Sequence, residues 1–282
     1  MTRVDVSDRV MTGVFWTMAA IVAAVFFWII GTVVWNGAGA ISWEFLTAEP
    51  LDSGRAGGIG PILVSTGLIL LVCMMVSFPI GIGTAVLLAE FTQSSHWFGR
   101  LVRRSLDVLA GVPSIVFGLF GTVFFCQVLG LGFSIWAGGL TLACMVLPIL
   151  IRASEEGLRT VPNEYRLTAA SLGISKTTTL FKLLLPAALP GLMVGFVLGL
   201  GRAAAETAAL LFTSGYVDRW PESLSDSGRA MTIHIYDLAM NVAGGNKNAY
   251  GTALVLVTML LFTNYLANWI ARKWVSRRIV YL

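Results

Sequence analysis

Charge is what this sequence has least of. Only 12% of its 282 residues are Asp, Glu, Lys or Arg, against about a quarter in an ordinary soluble domain, so the chain cannot clothe itself in a polar shell. Cysteine and histidine are also scarce. Cys73, Cys126 and Cys144 all lie inside apolar runs, and His96 and His234 are the only histidines. None of these residues falls at metal-ligand spacing, so neither a structural metal nor a disulfide framework is expected, and the thiols read as small buried hydrophobes. The chain lacks a G-x-x-x-x-G-K-[ST] phosphate loop, and it lacks the paired carboxylates or nucleophile constellation of a membrane hydrolase. No catalytic residue and no cofactor is therefore assigned to it. The net charge of +4 does not mark a nucleic-acid reader, because the basic residues form short clusters between apolar runs rather than a basic face interleaved with aromatics. There is no internal repeat of fixed period and no low-complexity tract.

What the chain has in abundance is apolar length: 56% of its residues are hydrophobic. A helix needs about 20 apolar residues to cross the hydrocarbon core, which predicts about six spans, near residues 10–35, 61–89, 105–130, 132–151, 185–213 and 248–271. The first run is unbroken by charge as far as Trp43 and reads as a retained span rather than a signal peptide. The stretch from Val108 to Ile151 carries no charge and is long enough for two crossings, with Gly130-Leu131-Gly132 as the natural hairpin. Arg3, Arg9, Arg100, Arg103, Arg104, Arg152, Arg159, Arg166, Lys176, Lys182, Arg272, Lys273, Arg277 and Arg278 then fall on one side. Arg55, Arg219, Arg229 and Lys247 fall on the other, which puts both termini in the cytoplasm of a multi-pass inner-membrane protein surrounded by lipid. Trp28, Trp35, Trp43, Trp220 and Trp269 sit near span ends, as an interfacial aromatic belt requires. The whole chain, 1–282, reads as one all-α transmembrane domain with a cytoplasmic excursion near residues 152–184 and an outer segment near 214–247.

The cytoplasmic excursion alternates charged and apolar residues at helical spacing. Pro162 suits a first helical turn, Tyr165, Leu167 and Ala170 supply an apolar side, Gly173 suits a C-terminal cap at positive φ, and a second short helix is expected from Ser175. Such a knob fits a groove on another protein; the plainer reading is an amphipathic interfacial loop. The run Ala169-Ala170-x-x-Gly173 followed by Leu185-Pro186 resembles the coupling loop of ABC-importer permeases, commonly written E-A-A, three residues, G, nine residues, I-x-L-P. The motif glutamate falls on Leu167, with Thr168 next, which takes away any ion pair that glutamate makes with an ATPase. The resemblance implies that Glu164, Ala169, Ala170 and Gly173 couple the chain to a separate ATPase.

Arg202 and Glu206 are charges near the middle of the fifth predicted span. A charge at mid-bilayer costs about 2.5 to 3.5 kcal/mol on insertion scales, so such residues face a bundle interior or an aqueous cavity. On a continuous helix they would share a face. Either they form a packing ion pair, or Arg202 meets an oxyanion through its planar fork while Glu206 orients it when the site is empty. Thr207 is then a possible hydroxyl donor. Pro113 should kink the third span after Gly111 and leave polar backbone near Ser114, as part of a pathway or simply for packing. Glu90 reads as an interfacial charge.

Three runs together, R-A-x-x-E-T-A-x-L-L-F-T from Arg202, E-G-L-R-T-V-P from Glu156 and G-V-P-S-I-V-F-G-L-F-G from Gly111, resemble the A-type permease subunits of bacterial high-affinity phosphate (Pst) importers. The resemblance extends from about Gly57 to the C-terminus. It implies the type I ABC-importer permease fold and half of a phosphate pathway working by alternating access. It also implies a C-type permease as heterodimer partner, two cytoplasmic ATPase subunits carrying ATP and Mg, and a periplasmic phosphate-binding protein. Arg202, Glu206, Thr207 and Ser114 are the candidate substrate residues. An ABC importer for phosphonate, molybdate or sulfate, and a scaffold or carrier without an ATPase, are the competing readings.

Overall fold

The computed structural model describes residues 3–92 and 96–279. In chain order the elements are α1 (Arg3–Gly37), α2 (Trp43–Thr47), a small antiparallel hairpin of β1 (Pro50–Leu51) and β2 (Ala56–Gly57), and α3 (Gly60–Val86). Then come α4 (Trp97–Ala110), α5 (Ser114–Gly121), α6 (Ile135–Arg159), α7 (Glu164–Ser171), α8 (Lys176–Thr179), α9 (Leu185–Ala204), α10 (Ala208–Leu211), α11 (Met231–Met240) and α12 (Asn246–Ile279). Three helices run on through π-helical turns: α3 into Leu87–Phe91, α5 into Thr122–Val128, and α8 through Leu180–Leu184 into α9.

Among the described residues five helical stretches are long and apolar enough to cross a membrane, Asp8–Ala40, Gly60–Phe91, Ile135–Arg159, Lys176–Ala204 and Asn246–Ala271, and the bent pair Trp97–Ala110 with Ser114–Val128 makes a sixth if it is counted as one span. The expected third span, 105–130, is the largest departure. Instead of a kink, the chain bends by 99° between α4 and α5, because Pro113 cannot donate to the helix ladder and disfavours helical backbone before it. The piece after the bend, 114–128, is about 22 Å long at 1.5 Å per residue, short of the roughly 30 Å core. The Gly130-Leu131-Gly132 hairpin is present, with both glycines at positive φ.

The fifth span also differs from 185–213. It begins at Lys176 on the Ser175 cap, whose Oγ accepts from Thr178 N at 3.2 Å, and it ends at Ala204. The helix expected from Ser175 is therefore the first turn of the span, not a separate short helix. α6 runs on to Arg159 and the next helical stretch begins at Lys176, so the connection that carries α7 is residues 160–175.

The centre of the bundle is α3, α6 and α9, whose buried faces bring Ile69, Val72, Leu142, Val146, Leu150 and Ala203 into one cluster. Transmembrane helices approach closely where their residues are small. At the α6–α9 crossing Gly157 lies on Gly191, and a Cβ added at Gly157 would stand 2.8 Å from Gly191 Cα. By contrast α1 packs along α12 and leaves its apolar surface bare, Phe15, Trp16, Phe26 and Phe27 included, as a helix facing lipid or a second subunit does. The connection between α10 and α12 holds α11, with Met231, Ile233, His234 and Leu238 buried.

Candidate functional site: an arginine cavity at mid-bundle and a short connecting helix

Arg202 stands in the last turn of α9. Ala205 closes that helix, and Glu206 lies in the break before α10, its N–H bonded to Ala203 O at 3.2 Å. The two charges are therefore not neighbours on a continuous helix as expected. Arg202 Nη2 is 3.8 Å from Glu206 Oε2, an ionic contact beyond hydrogen-bond length. They also face different surroundings: the Arg202 side chain is 51% exposed, the Glu206 side chain 6%. Glu206 Oε1 accepts from Ala209 N at 3.4 Å, and its main-chain oxygen accepts from Thr232 Oγ1 of α11 at 2.7 Å. The carboxylate is thus anchored while the guanidinium stays extended.

That guanidinium opens on a cavity of about 250 Å³ whose walls include Asp107 and Leu109 of α4, Val112 at the bend, Phe117 of α5, and Met145 and Arg152 of α6. Arg152 is thus a second cation on the same cavity. It pairs with Asp107 and donates from Nη2 to Arg103 O at 3.0 Å. Sequence reasoning counted it only among topology charges; the signal that marks it is a basic residue one to two turns inside a helix end. Ser114 opens α5 and Thr207 precedes α10, but neither lines this cavity. An apolar cavity of about 500 Å³ adjoins it between α4, α5 and α6, walled by Val116, Phe120, Cys144 and Leu147.

In the connection between α6 and the next span, α7 ends in a two-bond cap. Gly173, at φ +69°, donates to Ala170 O at 3.1 Å, and Ile174 N donates to Ala169 O at 2.9 Å, the pairing that satisfies a helix's last carbonyls. Ala169 is buried, whereas Glu164, Ala170 and Gly173 are exposed, and Leu167 and Leu172 stand outward at 63% and 70% exposure. Glu90 is not merely interfacial: it takes a bidentate ion pair from Arg166, at 2.5 and 3.0 Å. Those hydrogen bonds hold the Arg166 pKa above its ordinary value against the opposing effect of burial. Close by, Glu155 is buried and accepts from both Arg103 and Arg159, so two arginines read as topology signals also neutralise an internal acid.

His96 caps α4 through Nδ1, which accepts from Phe98 N. His234 is fully buried with neither ring nitrogen hydrogen-bonded; burial, and secondarily Arg229, depress its pKa to about 4. Among the described residues no cluster of His, Cys, Asp or Glu can hold a metal ion.

Helices that break at mid-bundle around a charged cavity are the arrangement in which transporters place a substrate site. Residues 77–281 match the family described as the binding-protein-dependent transport system inner membrane component, and the chain belongs to that family. Relatives include a probable ABC transporter permease protein, YqgI, of Bacillus subtilis, 30% identical over 94% of this chain and 95% of its own. The phosphate transport system permease protein PstA of Yersinia pestis is 32% identical over 93% and 85%. Among solved structures, an inward-facing MetNI methionine ABC transporter shares the fold at a TM-score of 0.58, 17% identity, and 77% and 94% coverage. A bacterial ABC transporter that imports the acidic polysaccharide alginate does so at 0.57, 15% identity, and 94% and 99% coverage. The chain is a multi-pass permease subunit with the type I ABC-importer fold.

Proposed function

We propose that this chain is the A-type permease of an ATP-driven phosphate importer and that Arg202 is its principal contact with the anion. The observation that carries this reading is the geometry of Arg202: it is set at mid-bundle and turned onto a cavity, and its ionic neighbour Glu206 is at 3.8 Å, without a hydrogen bond. A guanidinium in that condition has its planar fork available for an oxyanion. Glu206 supplies the counter-charge that makes the arginine tolerable in an empty pathway. Ser114 and Thr207, at broken helix ends outside this cavity's lining, are assigned secondary contacts along the rest of the pathway. The PstA names of relatives at about the same length support phosphate as the substrate.

In this reading a C-type permease completes the pathway against the exposed faces of α5 and α9, and a periplasmic phosphate-binding protein delivers the anion. Of the two ATPase subunits, one docks on α7 through Glu164, Ala170 and the turn at Gly173, with Ala169 holding the helix to the bundle. ATP and Mg act on those subunits, and both termini are cytoplasmic, as the arginine distribution requires. Phosphate uptake by proteoliposomes containing the full complex tests the proposal. Phosphate should saturate uptake, while sulfate, molybdate and phosphonate in equal amounts should compete weakly. Transport of one of those anions in preference to phosphate would overturn the substrate, and transport without ATP would overturn the ABC reading.

A further inference from the structure

Arg166 makes more bonds to its surroundings than any other side chain of α7, and they reach two separate elements. Its Nε and Nη2 grip both carboxylate oxygens of Glu90, in the π-helical turn that ends the α3 span, at 3.0 and 2.5 Å. Its Nη1 donates to Val161 O at 2.9 Å and its Nη2 to Leu158 O at 3.2 Å, at the end of α6. Among the described residues it is the one α7 side chain that hydrogen-bonds to anything outside α7. The pair is sheltered, with the arginine side chain 26% exposed and the glutamate 12%. Ala169 adds one buried apolar contact, whereas Leu167 of α7 and Leu172 just after it are mostly exposed. A cavity of about 210 Å³ lies alongside, bounded by Glu90, Phe91, Arg166, Ala170, Lys176 and Leu184. The helix is therefore not packed into the bundle around its whole girth.

A π turn is a register defect that recurs where helices must adjust. Two of them, Leu87–Phe91 and Leu180–Leu184, stand on either side of α7 and both contribute to this cavity. We infer that the Arg166–Glu90 pair is the transmission link of the transporter: it converts displacement of α7 into movement of the cytoplasmic ends of α3 and α6 together. This rests on the reading of α7 as the ATPase-docking helix. The argument is geometric. A rigid fork held by two carboxylate oxygens and two carbonyls cannot rotate without dragging its partners, whereas an apolar contact such as Ala169 can slide. Arg166 and Glu90 are positioning residues and touch no substrate.

The test uses the assembled complex with Arg166→Lys and, separately, Glu90→Gln. Lysine keeps the charge but places a single ammonium where the fork reached four acceptors; glutamine keeps shape and removes the charge. Three quantities are read for each purified complex: ATPase retained, ATP hydrolysed, and phosphate taken up. Both variants should retain the ATPase and hydrolyse ATP, with phosphate moved per ATP falling by about tenfold, within the 5- to 150-fold range of ordinary coupling between sites. A merely structural pair would lower the yield of complex and leave that ratio unchanged, which would overturn the inference. Loss of the ATPase from both variants would also overturn it, since the pair would then serve docking rather than transmission. If the unmodified permease itself retains no ATPase, the docking reading falls and this one with it; if it does and the variants couple normally, this one falls alone.

Discussion

Arg202→Lys separates an arginine that meets an anion from one that only balances a glutamate. In the structure the guanidinium has no hydrogen bond to Glu206, its nearest approach being 3.8 Å, and its side chain is half exposed to a cavity. The substitution keeps the positive charge near Glu206, and the pair has no hydrogen bond to lose, so folding and assembly should change little. The anion loses more. A bidentate grip reduced to one ammonium forfeits about one charged hydrogen bond, roughly 1.5–3 kcal/mol, and at 1.4 kcal/mol per decade that is about 10- to 150-fold in uptake at limiting phosphate. Initial rates of labelled phosphate uptake, normalised to assembled complex, are the assay. An assembled Arg202→Lys complex transporting at the unmodified rate would refute a geometric role for the fork and leave only charge balance.

Glu206→Gln keeps the acceptor used by Ala209 N and removes the counter-charge, so uptake should fall by less than in Arg202→Lys, and a larger fall would make Glu206 the principal group. Gly157→Leu puts a side chain where a Cβ alone stands 2.8 Å from the Gly191 backbone. Overpacking of that kind costs about 1–3 kcal/mol, read as a lowered melting temperature of the complex in detergent, and an unchanged value would mean the α6–α9 crossing is looser than described. His234 has a folded pKa depressed to about 4 from 6.5. The unfolded chain therefore binds its proton first, and stability is full above pH 6.5 and falls as pH drops toward 4. Integrated between the two pKa values, the loss from pH 6.5 to 4.5 is about 2 kcal/mol, and His234→Gln should flatten the acid limb of a melting-temperature profile if that histidine is its cause. Finally, a cysteine at Ser225 should react with an impermeant thiol reagent added outside intact cells and one at Ser105 should not; the reverse pattern would invert the proposed topology.

Span number and the position of α7 were legible in the sequence because both are local properties. An apolar run of sufficient length must cross the bilayer, and a glycine after an amphipathic turn caps it wherever it stands, as Gly173 does at φ +69°. Proximity of Arg202 and Glu206 was legible for the same reason, through their spacing. What that spacing concealed is the end of α9 at Ala204. The run Ala203-Ala204-Ala205 is the strongest helix-forming composition there is, so nothing local announces a stop. The break comes with tertiary bonds, Glu206 O to Thr232 and the burial of Ala203, Ala204 and Glu206, and it separates a buried carboxylate from an extended guanidinium. Pro113 was visible, yet its effect is a 99° bend rather than a kink, accompanied by tertiary bonds between α4 and α6 that no local signal announces: Arg103 to Glu155 and Asp107 to Arg152. The same limit hid Glu90, whose partner is 76 residues away. Hydrophobic length and capping act within a few residues and can be read along the chain, whereas an ion pair between distant helices exists only after packing has excluded water from around it, so the tertiary structure alone decided which of these charges are topology signals and which hold the machine together.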